Sequence, residues 1–207
     1  GHHPDALQEL HQEMPIVLID RKVEQLHTDL VGLDNADAVR MALEHLEQQG
    51  YRDVLMVSEP VDGTSSRIER INSFTRQLAS HPTLRGAVVN TGACLRAAVQ
   101  TFKQDPGHGP KAIFCANGLA ALACTQALRD LNCRLFEDVG LIALDDLEWF
   151  PLVGNGITAL AQPTQQIGAS AFDCLLKRLG GDESAPLTLD FAPQLIVRGS
   201  TRHPRTA

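Results

Sequence analysis

The chain has 207 residues, of which 43% are hydrophobic and 21% charged, and it carries a formal net charge of -7, ample material for one large or two small globular units. An acidic balance without clustered Lys and Arg excludes this segment itself as the part that grips nucleic acid or an anionic membrane surface. No apolar run approaches the roughly 20 residues of a membrane span, and no charged-then-apolar leader opens the chain; the odd set Cys94, Cys115, Cys124, Cys133 and Cys174 holds no CxxC pair and reads as reduced thiols of a cytoplasmic protein.

In chain order, Pro15 to Ile19 is an apolar strand ending at Asp20-Arg21, and Leu30 to Leu33 is a second, running into Asp34-Asn35. Val39, Leu43 and Leu46 then mark one face of a helix with Asp34 as N-cap and Gly50 just past its end. Asp53 to Val57 is a strand, Pro60 to Thr64 a turn, and Ser65-Ser66 opens a helix with Ile68, Ile71, Phe74 and Leu78 expected on its inner face. Gly86 to Asn90 is the next strand, followed by a helix from about Ala93 to Phe102 with His45 of the earlier helix expected on a polar face.

After the polar loop Asp105 to Pro110, Lys111 to Cys115 is a strand and Asn117 begins an Ala/Leu-rich helix ending near Asn132. The all-apolar run Val139 to Leu144 reads as a buried parallel strand, and it delivers Asp145-Asp146-Leu147-Glu148-Trp149. A carboxylate pair and the only tryptophan thus stand at a strand's carboxyl end, where open α/β sheets bind ligands. Ile157 to Ala161 is another strand, Pro163-Thr164 starts a helix through Ile167, Ala171, Leu175 and Leu179, and Pro193 to Arg198 is a final strand. Strands alternating with helices predict an α/β fold built on parallel sheet.

Enzyme signatures fail on their context. Gly154-Asn155-Gly156-Ile157-Thr158-Ala159 satisfies G-x-G-x-x-A but leads into a strand, so no helix N-terminus is available to cradle phosphate. There is no P-loop and no G-x-S-x-G elbow, and the eight histidines, His2-His3 near one terminus among them, lie outside zinc-like spacing. The sequence implies no catalysis, no metal and no cofactor.

The ordered set of motifs resembles the effector-binding domain of the LacI/GalR family of bacterial transcription regulators over nearly the whole chain. The matching pieces are Pro15 to Arg21, Leu33-Asp34-Asn35, His45-Leu46 with Gly50-Tyr51-Arg52, and Ser66 and Arg70 ahead of Phe74. They continue through Ala112 to Asn117, Asp138 to Ile142 into Asp145, Ile157-Thr158 to Gln162-Pro163, and Pro193 with Leu195 to Arg198. The resemblance implies a periplasmic-binding-protein-like fold of two parallel-sheet lobes joined by three crossings, near Leu33-Asp34, Gln162-Pro163 and Leu189 to Phe191. Residues 1–33 would be part of an incomplete N-terminal lobe, 34–161 the C-terminal lobe, 164–189 the return to the first lobe, and 190–207 the final strand and tail. The family's helix-turn-helix is absent from this stretch.

Mapped residue by residue, the resemblance makes Asp145 the acceptor of ligand hydroxyls, Arg70 the guanidinium that binds effector, and Arg21 a ligand-facing side chain. The competing accounts are a turn cap at Asp145 or Asp146, a solvated surface charge at one of Arg67 and Arg70, and an inter-lobe ion pair at Arg21. Ser66, one turn before Arg70, can donate to the same ligand or cap its helix. Asn117 can offer a sugar both donors and an acceptor, or merely cap. Trp149 can face a sugar ring or pack in the core, and Thr91 completes the candidates. The implied function is sensing of a sugar or a sugar acid such as gluconate or 2-ketogluconate, with allosteric control of operator DNA binding in a homodimeric repressor. The rival is a periplasmic-type sugar-binding protein of a transporter.

Overall fold

The computed structural model describes residues 4–107 and 109–202; His2-His3 and the end of the tail lie outside the described residues. Among the described residues nine strands fall into two sheets. The larger takes β3 (Asp53–Ser58), β4 (Arg85–Asn90), β5 (Lys111–Cys115), β6 (Gly140–Leu144), β7 (Thr158–Ala161) and β9 (Gln194–Ile196) in the order β4-β3-β5-β6-β7-β9. All neighbours run parallel except the last pair, β7 with β9. The smaller is parallel, in the order β1-β2-β8, from Val17–Ile19, Asp29–Leu33 and Thr188–Phe191.

The period-2 alternation of strand side chains divides the larger sheet's core in two. Val54, Met56, Phe114, Ile142 and Leu144 face helices α2 (Asn35–Gln48) and α3 (Ser65–Leu78), where they meet Val39, Leu43, Leu46 and Phe74. Leu55, Val57, Ile113, Leu141 and Ala143 face the other way, toward Leu95, Val99, Cys124 and Leu128 of α4 (Leu95–Gln104) and α5 (Gly118–Asp130). Burial of each large aliphatic side chain contributes roughly 1.5–3 kcal/mol, which explains why both faces of these strands are apolar.

Asp34 caps α2 as its residue type dictates, its side chain accepting from the Asp37 N–H at 3.0 Å. Gly50 follows the helix with φ of 92°, a conformation open to glycine without a Cβ penalty. The chain leaves the smaller sheet at Leu33, returns through α6 (Thr164–Leu179), and leaves again after β8, whose last paired residue is Phe191. Val31, Ile167, Ala171 and Cys174 form the small lobe's core. Arg178 closes it with two hydrogen bonds of 2.9 Å to Asp29, which also accepts from the Leu187 N–H at 2.8 Å. The Arg178 hydrogen bonds hold the Asp29 carboxyl below the usual carboxylate range.

Two expectations, on Ile68 and His45, are corrected. Ile68 is exposed, because α3 turns Ser66, Arg70, Ser73 and Phe74 inward and Ile68 falls outside that row. Leu179 is exposed on α6, whose buried row ends at Cys174. His45 is buried, since the C-terminal segment covers α2 and places Thr201 Oγ1 2.7 Å from His45 Nε2. The helix α1 (Pro4–Glu13) and strand β8 are additional elements: α1 buries no side chain completely and so lacks a strong apolar stripe. Among the described residues no helix is long and apolar enough to cross a membrane.

Candidate functional site

The carboxyl ends of β1, β3, β5, β6 and β7 deliver Asp20, Glu59, Asn117, Asp145 and Gln162 to one crevice of about 440 Å³. Strand direction accounts for the convergence: parallel neighbours end on the same edge, so their following residues share one rim. The smaller sheet contributes Asp20 and Arg21. Helix α3 adds Ser66, Arg67 and Arg70, and Leu119, Leu122, Leu147 and Trp149 supply apolar wall.

Arg70 is 4% exposed. Its Nε donates to Asn35 Oδ1 at 2.8 Å and its Nη1 to the Ala116 carbonyl at 3.0 Å, while Nη2 stands 4.0 Å from Asp20 Oδ1, beyond hydrogen-bond reach. Burial pushes the guanidinium pKa down; the charges of Asp20, Asp145 and Glu69 oppose that push. A planar fork held by two bonds with an edge still open is a ready partner for a carboxylate or for paired hydroxyls.

Asp20 and Asp145 share an unusual backbone. Both end a parallel strand with φ in the left-handed region, 71° and 82°, a conformation that costs a non-glycine residue about 1–3 kcal/mol but that Asp tolerates better than most. Each backbone N–H still pairs with the neighbouring strand, Asp20 with Val31 O at 3.0 Å and Asp145 with Leu160 O at 2.9 Å. The Asp145 carboxylate accepts from Gln162 Nε2 and, at 3.4 Å, from the Gly118 N–H, which fixes it without spending all its lone pairs.

The candidate side chains differ in the partners they already have. Asp146, not Asp145, is tied away from the crevice, by Arg198 at 2.8 Å. Arg67 is the arginine whose donors are already engaged, by Glu59 at 2.8 Å and the Pro60 carbonyl at 2.7 Å. Ser66 is buried inside α3 rather than capping it; the cap position is Thr64. Asn117 does cap, accepting from the Ala120 N–H at 2.8 Å, and its amide remains at the crevice wall. Arg21 pairs loosely with Asp20 of its own lobe, 3.6 Å away, so the ion pair across the lobes is Asp20 with Arg70. Trp149 packs edge-on against buried Phe150, ring centroids 4.7 Å apart, and still borders the crevice.

Thr91 is not brought to the site. It follows β4, an edge strand, where its N–H donates to Ser58 O at 2.8 Å, with β3 and β5 lying between it and β6. Asp20, Glu59 and Gln162 are lining residues that the sequence reading passed over. The available signal was position: each stands at the carboxyl end of a strand, as Asp145 does. Among the described residues no group of three or more His, Cys, Asp or Glu is arranged to hold a metal ion.

Two lobes with a polar crevice at their strand ends define a small-molecule-binding protein of the periplasmic-binding type. The sequence matches the periplasmic binding protein-like domain family over residues 43–201, and the chain belongs to that family as an effector-binding domain of the LacI/GalR type. It is similar to the HTH-type transcriptional regulator PtxS of Pseudomonas aeruginosa, 57% identical over 205 residues that cover 99% of this chain and 60% of that protein. The chain thus spans about 60% of the length of this curated relative. Among solved structures it resembles a LacI family transcriptional regulator from Mycobacterium smegmatis, with a TM-score of 0.80 and 26% identity over 98% of this chain and 76% of that one. A LacI family regulator from Enterococcus faecalis, solved with bound ribose, shares the fold at TM-score 0.79 and 22% identity, over 98% and 75% of the two chains.

Proposed function

We propose that the chain is the effector-sensing part of a cytoplasmic, homodimeric transcription regulator, and that its effector is a sugar acid of the gluconate or 2-ketogluconate kind. The carrying observation is Arg70: a buried guanidinium with an unfilled edge at the wall of a crevice shared with Asp145, Asn117 and Gln162. A carboxylate on that edge compensates the buried charge, while hydroxyls reach the acceptors at the strand ends and a carbon face lies against Leu147 and Trp149.

In this reading the lobes divide at residues 33/34, 161/164 and 189/190, and Arg21, Ser66, Arg70, Asn117, Asp145 and Trp149 touch ligand. The effector acts through its different affinity for two lobe arrangements, and a DNA-reading module linked to the chain responds on operator DNA. The regulator relatives favour this over a transporter's sugar-binding protein. Calorimetry of the intact protein against gluconate, 2-ketogluconate and glucose tests it, repeated with Arg70→Ala and Asp145→Ala. The acids are expected to bind and Arg70→Ala to lose roughly 10- to 100-fold in affinity, the value of a charge-assisted hydrogen bond. Wild-type affinity for the best ligand in both variants overturns the site.

A further inference from the structure

The crevice arginine does not hold itself in place. Arg70 and Glu69 are consecutive on α3, and consecutive helical side chains point in different directions; Arg70 lines the effector crevice while Glu69 lines a separate cavity of about 370 Å³ beside β2 and β8. Asn35 stands between them. Its Oδ1 accepts from Arg70 Nε at 2.8 Å and its Nδ2 donates to Glu69 Oε2 at 2.8 Å. The residue is 7% exposed and opens α2, two positions after the chain leaves the smaller sheet at Leu33.

The chemistry of the relay is specific to a primary amide. Arg70 can only donate and Glu69 can only accept, so the side chain joining them needs one acceptor end and one donor end. Aspartate would keep the Arg70 bond but set a second carboxylate against Glu69; leucine, of similar volume, would keep neither bond. The amide dipole is thus oriented by both partners, and each bond strengthens the other.

We infer that Asn35 is the positioning residue of the effector site: anchored by Glu69 from outside the crevice, it aims the Arg70 fork at the ligand and ties that fork to the first crossing between the lobes. The inference rests on the proposed sugar-acid reading for its ligand but not for its geometry. Glu69 is absent from the crevice wall, so it reaches the site through the Asn35 amide and through its charge on Arg70, two routes that Glu69→Gln separates by keeping an acceptor while removing the charge.

The decisive variants are therefore Glu69→Leu, which removes the anchor, and Glu69→Gln, which keeps an acceptor for the Asn35 amide. Titrated with gluconate in the intact protein, Glu69→Leu is expected to bind about three- to tenfold more weakly than wild type, the range of one lost hydrogen bond, and Glu69→Gln to bind within about twofold. The side-chain Nε–H resonance of Arg70, read by NMR without ligand, is expected to remain sharp and slowly exchanging in wild type and Glu69→Gln and to broaden in Glu69→Leu. If that resonance is the same in all three proteins, the inference fails whatever the ligand is. If the resonance responds but no sugar acid binds wild type, the positioning role stands and the sugar-acid reading fails. A Glu69→Leu protein that binds gluconate as wild type does, with wild type itself binding, overturns the role of Asn35.

Discussion

Asp145 carries two duties that different substitutions separate. Its carboxylate is a charged acceptor at the crevice, and its backbone occupies a left-handed conformation with φ of 82°. Asn tolerates that conformation and keeps one acceptor, whereas Ala loses the acceptor and pays the Cβ strain in full. Asp145→Asn is therefore expected to melt close to wild type yet bind the effector roughly tenfold more weakly, a charged hydrogen bond exchanged for a neutral one. Asp145→Ala is expected to lose binding and, in addition, about 1 kcal/mol of stability; calorimetry and thermal melts on the two proteins check both halves. The position of Asp145 was readable because an all-apolar strand names its own end. Asp20 and Gln162 obey the same rule, but the strands before them are shorter, β1 is only partly buried, and the approach of Asp20 to Arg70 depends on how two sheets meet, which no local pattern encodes.

Between elements, the contact of α2 with the C-terminal segment carries a pH dependence. His45 is buried on α2 and meets Thr201, which in turn stands 2.6 Å from Thr158 Oγ1 on β7. Burial lowers the His45 pKa below its ordinary 6.5, so the folded protein favours the neutral ring. The associated stability is present above pH 6.5 and is lost as the pH falls through 6.5 toward the lower folded-state value. Thermal midpoints measured from pH 7.5 to 5.5 should fall more steeply for wild type than for His45→Gln, which retains a hydrogen-bonding group and does not titrate; parallel slopes would remove His45 from the account. The polar surroundings of His45 in the sequence hid this, because residues adjacent in a helix say little about a tail that returns 156 positions later. The central strands and α2, α3 and α5 were legible for the opposite reason: each buries a side-chain row long enough to repeat. Helix α1 and strand β8 have no such row; β8 alternates half-buried and exposed residues over only four positions.

For the whole molecule, a ligand held between two lobes stabilises both at once. The smaller sheet contacts the rest through three chain crossings and through a few polar pairs, such as Asp20 with Arg70 and the Lys22 N–H with Ser65 Oγ at 3.0 Å. These are partly exposed contacts, each worth about 1 kcal/mol or less, so the lobe arrangement is a soft coordinate that a bound molecule can bias. A ligand at 100 times its dissociation constant adds about 2.7 kcal/mol to the stability of whatever must be folded to hold it. With a shift of roughly 2–4 °C per kcal/mol for a chain of this size, saturating gluconate should raise the thermal midpoint by roughly 5–10 °C. The gain should fall to about half or less in Arg70→Ala at the same gluconate concentration, and in wild type it should appear as one transition, because the crevice exists only when both lobes are folded. A melt in which gluconate moves only a larger-lobe transition, leaving a separate smaller-lobe transition where it was, would mean that the ligand rests on the larger sheet alone and that Asp20 and Arg21 take no part in holding it.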